Sequence, residues 1–162
     1  MDNHRILVLG GYGNFGKRIT SMLVRNPEMH LLIAGRSREK AGAWCRELCA
    51  RQPEANVEPL AIDIHSSQFS AALKTADPFL VIHTSGPFQG QDYSVPRACI
   101  ESGIHYIDLA DDRRFVCDFE KLSALAKNKN VLAVSGASTV PGLASVVADH
   151  FSAEFSQLDS ID

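Results

Sequence analysis

The sequence is poor in the features that mark several protein classes. It has four cysteines, Cys45, Cys49, Cys99 and Cys117, and none stands in a C-x-x-C pair or at metal-ligand spacing from a histidine. Neither a disulfide framework nor a zinc site is expected; Cys45 and Cys49, four apart on one expected helix, read as small buried or half-buried thiols. There is no basic excess: the net charge is -3 at pH 7 and the pI is near 6.0. That balance leaves no field to attract nucleic acid or an anionic membrane, although a short basic cluster can still hold one small anion. Long apolar runs are missing too. The opening "MDNHRILVLGG" breaks into glycines after a few apolar residues, so neither a signal peptide nor a spanning helix is expected, and a cytoplasmic setting is.

What is present is an ordinary globular composition, 162 residues with 45% hydrophobic and 22% charged, enough for one domain with a substantial core. A single unit repeats along it: a short aliphatic run, a turn, then apolar residues at helical spacing. The strands read as "RILVLG", "HLLIAG", a stretch within "VEPLAIDI", "FLVIHT", "HYIDLA" and "VLAVSG". Between them, helices are expected to bury Phe15, Ile19, Met22 and Leu23; Ala41, Trp44, Cys45 and Leu48; Phe69, Ala72 and Leu73; then a helix capped by Ser94; and one long helix with Phe115, Phe119, Leu122 and Ala126. A last helix, begun by Pro141, is expected to turn Leu143, Val146 and Val147 inward. The alternation predicts an α/β fold, a doubly wound parallel sheet of about six strands in the Rossmann order 3-2-1-4-5-6, with helices on both faces. It fills residues 1–152. The closing "FSQLDSID" resumes an alternating pattern; residues 153–162 read as the start of a further domain absent from this chain, a frayed tail being the equally simple alternative.

One stretch, "GGYGNFGKR", carries two motifs at once. Gly11 through Lys17 spell most of a triphosphate P-loop, but the position that must give a metal-binding hydroxyl is Arg18. Gly11, Gly13 and Gly16 spell the dinucleotide turn, and here the surroundings agree, since a strand precedes it and an amphipathic helix follows. In that reading Gly11 turns the chain, Gly13 admits the pyrophosphate, Gly16 lets the helix pack closely, and the N–H groups near Asn14 and Phe15 face the anion. Lys17 becomes a helix-surface cation outside the cradle.

The end of the second strand chooses between dinucleotides. An NAD-preferring site usually carries an acid there, to accept from the ribose hydroxyls. This sequence has "AGRSREK", so Arg36 and Ser37 offer cationic and hydroxyl donors to an adenosine 2′-phosphate, with Arg38 and Lys40 close by. NADP(H) is therefore the expected cofactor. Asp63, after the third strand, reads either as an acceptor for the adenine amino group or as a cap at Ser66. Thr84, Ser85 and Gly86 end the fourth strand beside the switch point, where pyrophosphate and nicotinamide ribose would lie. His83 reads as a core histidine rather than a proton carrier. Tyr12, Tyr93 and Tyr106 each lack a lysine four residues on, which removes the Tyr-x-x-x-Lys proton-transfer pair of the short-chain dehydrogenases.

"GGYGNFG", "AGRSREK", "SGPFQGQ", "ACIESGIHYIDLADD" and "SGASTVPGLASVVADHF", in this order, resemble the NADP-binding N-terminal domain of saccharopine dehydrogenase-like oxidoreductases. The resemblance implies hydride transfer to or from nicotinamide C4 at a carbon next to nitrogen, in an amino acid or polyamine type of substrate. It also implies a second, α+β domain that supplies most of the substrate pocket, and a homodimer formed through it. Ala110, Asp111 and Asp112 stand where relatives have Thr or Ser, Gly and Glu, and His83 where asparagine is frequent. Only cofactor positions are carried over for that reason, with no catalytic residue and no metal assigned. The other reading from a different class is a regulatory module that senses NADP(H) without turnover.

Overall fold

The structure, a computed structural model, describes residues 4–157 and 160. Six parallel strands form one sheet in the order β3-β2-β1-β4-β5-β6. They are β1 (His4–Leu9), β2 (Met29–Gly35), β3 (Val57–Ala61), β4 (Leu80–His83), β5 (His105–Asp108) and β6 (Ala133–Val134). Helices α1 (Asn14–Leu23), α2 (Arg38–Arg51), α3 (Phe69–Ala76), α4 (Ser94–Glu101), α5 (Arg113–Asp118), α6 (Ser123–Lys129) and α7 (Ala144–Phe151) connect or follow them.

Alternation along the central strands builds two cores. Leu7, Leu9, Leu32, Ala34 and Val81 face α3 and α4, with Phe69, Leu73 and Cys99. Ile6, Val8, Leu31 and Ile33 face the other way, toward Trp44, Cys45 and Leu48 of α2. Burial on both sides explains why β1 and β2 read as continuous aliphatic runs. Removing each such side chain from water stabilises the fold by about 1.5–3 kcal/mol.

Several expected details change. Helix α1 does not bury Phe15 and Met22, which are 60% and 69% exposed. It turns Gly16 and Thr20 inward instead, because Gly16 must lie against the backbone of Gly10 and Gly11, and that contact sets the rotation of the helix. Thr20 Oγ1 donates to the Gly16 carbonyl and accepts from Trp44 Nε1 at 2.9 Å, so the inward polar positions are satisfied. Ser94 does not cap α4; Asp92 Oδ1 accepts from the Ser94 N–H. The long helix expected after β5 is three pieces, α5, a 3-10 turn at Phe119–Leu122, and α6. Strand β6 is only two residues long, because Ser135 and Gly136 leave the ladder to bond the Asp108 carboxylate. In α7 no residue is buried, and Leu143, Val146 and Val147 are 56%, 65% and 46% exposed. The segment before it, Thr139–Leu143, is kinked at an extended Val140, and the main contacts of α7 are with its own flanking segments. Residues 155–157 form no strand; the rest of the expected terminal strand falls largely outside the described residues. All four cysteines are free thiols.

Candidate functional site

The chain leaves β1 through a turn in which almost every glycine has a steric reason. Gly10 has φ +77°, a conformation that disfavours side chains, and a Cβ there would also fall 2.8 Å from the hydroxyls of Thr84 and Ser85. The turn is held by the neighbouring strand, with Gly10 and Gly11 N–H groups donating to the Ala34 carbonyl at 2.9 and 3.1 Å. Gly11 fits against Val8 and Ile33, and Gly16 against Gly10 and Gly11. The expected division of labour shifts by one residue: the left-handed turn is at Gly10, and Gly11 is the close-packing position. The doubled glycine "GG" was the available signal.

Helix α1 then starts at Asn14, with Gly13 in the N-cap position and no side-chain cap. Its first N–H groups have no acceptor within the helix and carry the positive end of its dipole. Asn14 and Phe15 stand exposed at this tip. Lys17 points elsewhere: its Nζ lies 4.4 Å from the centre of the Trp44 ring, on the α2 side.

A crevice of about 440 Å³ opens at the carboxyl ends of the strands. Of the expected residues, Gly13, Arg36, Asp63, Ser85 and Gly86 line it. Gly11 and Gly16 are buried behind the turn. Thr84 braces it from the side, its hydroxyl donating to the Leu9 carbonyl at 2.9 Å. Ser37 is the N-cap of α2, its Oγ accepting from the Lys40 N–H. Asp63 does not cap α3, which begins at Phe69; its carboxylate closes a turn by accepting from the His65 N–H at 3.0 Å. Arg36 is exposed and has no ion-pair partner among the described residues.

Sequence reasoning missed Tyr12, Gly35, Ile62, His65 and Gln91, which also line the crevice. Gln91 was within reach, lying in the quoted "SGPFQGQ". Its Nε2 donates to the carbonyls of Ser85 and Pro87 at 3.0 and 2.6 Å and holds that turn.

Beneath the Thr84–Gly86 turn lies a buried polar group. His83 is fully buried, with Nδ1 2.9 Å from the Tyr106 hydroxyl and its ring edge-on to Phe88. Burial pushes its pKa down to about 4, against a smaller upward pull from the Ser85 backbone, so at neutral pH it is an uncharged core residue. Burial, and then the Asp108 charge, hold the Tyr106 phenol well above its ordinary range. Asp108 Oδ1 accepts from the N–H groups of Ala110 and Gly136 and from Ser135 Oγ. None of the three side chains reaches the crevice. Asp112 caps α5 through Phe115 N–H at 2.7 Å.

The site fits a dinucleotide phosphate. The turn leaves backbone where a Cβ would stand, the helix tip has no side-chain cap, and the Arg36 guanidinium stands exposed on the adjacent wall. Among the described residues no helix is long and apolar enough to cross a membrane, and no three His, Cys, Asp or Glu side chains cluster as metal ligands.

Known structures share the architecture. The L-Glu-forming saccharopine dehydrogenase of Saccharomyces cerevisiae is 16% identical with a TM-score of 0.73, over 93% of this chain and 31% of that one. YwfH, an NADPH-dependent reductase involved in bacilysin biosynthesis, is 14% identical with a TM-score of 0.62, over 83% of this chain and 76% of its own. An NAD-binding oxidoreductase from Klebsiella pneumoniae is 17% identical with a TM-score of 0.57, over 94% of this chain and 39% of its own. These likenesses establish the fold. This chain spans 31% of the yeast enzyme's length. No curated protein sequence matches it. The profile described as "Saccharopine dehydrogenase NADP binding domain" matches residues 6–137, most of the chain, and with the glycine turn and the Arg36 wall already in place, the chain belongs to that family and its cofactor is NADP(H).

Proposed function

We propose that this chain is the cofactor-holding part of an oxidoreductase of the saccharopine dehydrogenase type, acting at a carbon next to nitrogen in an amino acid or polyamine type of substrate. When bound, the nicotinamide supplies or accepts a hydride at C4. The chain's own residues hold and orient. The N–H groups of Asn14 and Phe15 receive the diphosphate at the positive end of α1, and Gly13 lets it approach. Arg36 and the Ser37 hydroxyl take the 2′-phosphate. Asp63, one oxygen already turned to His65, offers the other to the adenine amino group. Ser85 and Gly86 border the nicotinamide ribose. The substrate pocket is placed in a further domain.

The observation that carries this reading is Arg36, exposed on the crevice wall and without an ion-pair partner among the described residues, where an NAD site would present an acid. A charge-assisted hydrogen bond contributes roughly 1.5–3 kcal/mol, so Arg36→Ala is expected to weaken NADPH about ten- to hundredfold and NADH far less. Fluorescence titration of both cofactors measures this, and an unchanged NADPH-to-NADH affinity ratio would overturn the assignment.

A sensing role without turnover draws on a separate observation, that His83 and Tyr106 are fully buried and offer no proton to the crevice. Both readings expect the chain alone to bind NADP(H) with little turnover. Rapid NADPH oxidation by this chain with imines formed from amine and oxo-acid pairs would refute both. Turnover by the natural full-length protein on such pairs selects the enzyme.

A further inference from the structure

Tyr12 occupies the variable position between Gly11 and Gly13, where the turn itself asks for no particular side chain. Its surroundings explain it. The ring lies on Gly35, the last residue of β2, so closely that a Cβ on Gly35 would stand 2.6 Å from ring Cε1 and from Oη. Its hydroxyl accepts from the Ser37 backbone N–H at 3.0 Å. Arg36 lies between these two contacts, and both Arg36 and Tyr12 line the crevice. The phenol therefore pins the backbone on each side of Arg36. Ser37 is further fixed on its other side, since its Oγ accepts from Lys40 N–H as the cap of α2. Among the described residues no acceptor takes the proton of the Tyr12 hydroxyl itself.

From this geometry we infer that Tyr12 is a positioning residue for recognition of the adenosine 2′-phosphate: it ties the diphosphate turn to the Gly35–Ser37 turn and presets Arg36 toward the phosphate. This role rests on the Arg36 reading given above. It also gives Gly35 a purpose, since any side chain there would push the tyrosine off its seat.

The test is calorimetric binding of adenosine 2′,5′-bisphosphate and 5′-AMP to the whole chain, beside NADPH and NADH, with thermal melting as a control for folding. Tyr12→Phe keeps the ring and removes one neutral hydrogen bond. It is expected to weaken the 2′-phosphorylated ligands about three- to tenfold and to leave 5′-AMP and NADH within about twofold. Gly35→Ala displaces the ring without changing the phenol and is expected to give the same selective loss. In an Arg36→Ala background the effect of Tyr12→Phe should vanish, because the turn no longer presents a cation. Equal losses for ligands with and without the 2′-phosphate, or no loss, while Arg36→Ala still collapses the preference, would overturn the role of Tyr12 and leave the Arg36 assignment standing. An unchanged preference in Arg36→Ala alone would overturn the Arg36 assignment and this inference with it.

Discussion

The turns after β1 and β6 use the same backbone device. Gly10 and Gly136 lie just beyond their strands with φ +77° and +79°. Six positions later, Gly16 and Gly142 each press against the carbonyl of that glycine. What lies beneath the turns differs. The first is tied by the neutral carbonyl of Ala34, the second by the carboxylate of Asp108, which accepts from Gly136 N–H and Ser135 Oγ. A negative charge under the second turn opposes an anion there, whereas the uncapped tip of α1 favours one at the first. The helices diverge too: α1 buries Gly16 and Thr20, and α7 buries nothing. Glycine spacing thus specifies a turn; the charge below it and the surface beside it decide what the turn is for.

The strongest way to break that comparison is to add one methyl group at each second glycine. In Gly16→Ala the new Cβ meets the backbone of Gly10 and Gly11, which the sheet holds in place, and a loss of about 3 kcal/mol or more is expected. In Gly142→Ala the new Cβ would stand 2.9 Å from Gly136 O, but an unburied α7 can shift, and about 1 kcal/mol is expected. Denaturant unfolding of both variants measures the gap, and equal losses would mean that α7 is held as firmly as α1.

His83 sits between the two turns, paired in register with Leu9 on one side and Asp108 on the other. Its folded pKa is about 4, below the ordinary 6.5, so the unfolded chain takes up the proton first. The stability that comes from keeping it neutral is complete above about pH 6.5 and is lost as pH falls through 4, amounting to about 3 kcal/mol. His83→Asn should flatten that part of the stability profile. Unfolding curves at pH 7 and pH 4.5 check it; an unchanged slope would place the titration elsewhere. Asp108→Ala follows in size. It leaves the buried N–H groups of Ala110 and Gly136 without their acceptor and should cost about 2 kcal/mol, with faster amide exchange at residues 135–137 and little change at Gly10 and Gly11.

These two turns also mark where the sequence was legible. Strands β1 and β2 could be read because both of their faces are buried and their runs are aliphatic; β3 and β5, "VEPLA" and "HYID", are mixed and partly exposed, and they and the strand order followed from the regular alternation of strand, turn and helix. The rotation of α1 could not, because Phe15 and Met22 outrank Gly16 and Thr20 in apolarity, while a backbone contact at Gly16 sets the geometry. The short β6 was hidden for a related reason. "VLAVSG" has strand composition throughout, but a buried aspartate on the neighbouring strand takes the hydrogen bonds of Ser135 and Gly136. At the site, the glycines and "AGRSREK" announced themselves through charge and spacing. Tyr12 did not, since its role depends on a contact with a residue that lacks a side chain.

The smallest effect tests the helices themselves. Val24, at the end of α1, is 5% exposed in the core shared with α2, and Val147 of α7 is 46% exposed. Pattern alone ranks Val147 higher, since it stands on the expected inner stripe with Leu143 and Val146, whereas Val24 stands on no expected stripe. Val24→Ser removes a buried side chain and leaves a hydroxyl in its place, expected to cost about 2 kcal/mol or more. Val147→Ser changes a side chain that already meets water, and a shift below about 0.5 kcal/mol is expected. Melting temperatures of the two variants decide the matter. A large loss at Val147 would show that α7 is covered by this chain itself, whereas a negligible one means that its periodicity records an apolar face and says nothing of a partner within residues 4–157.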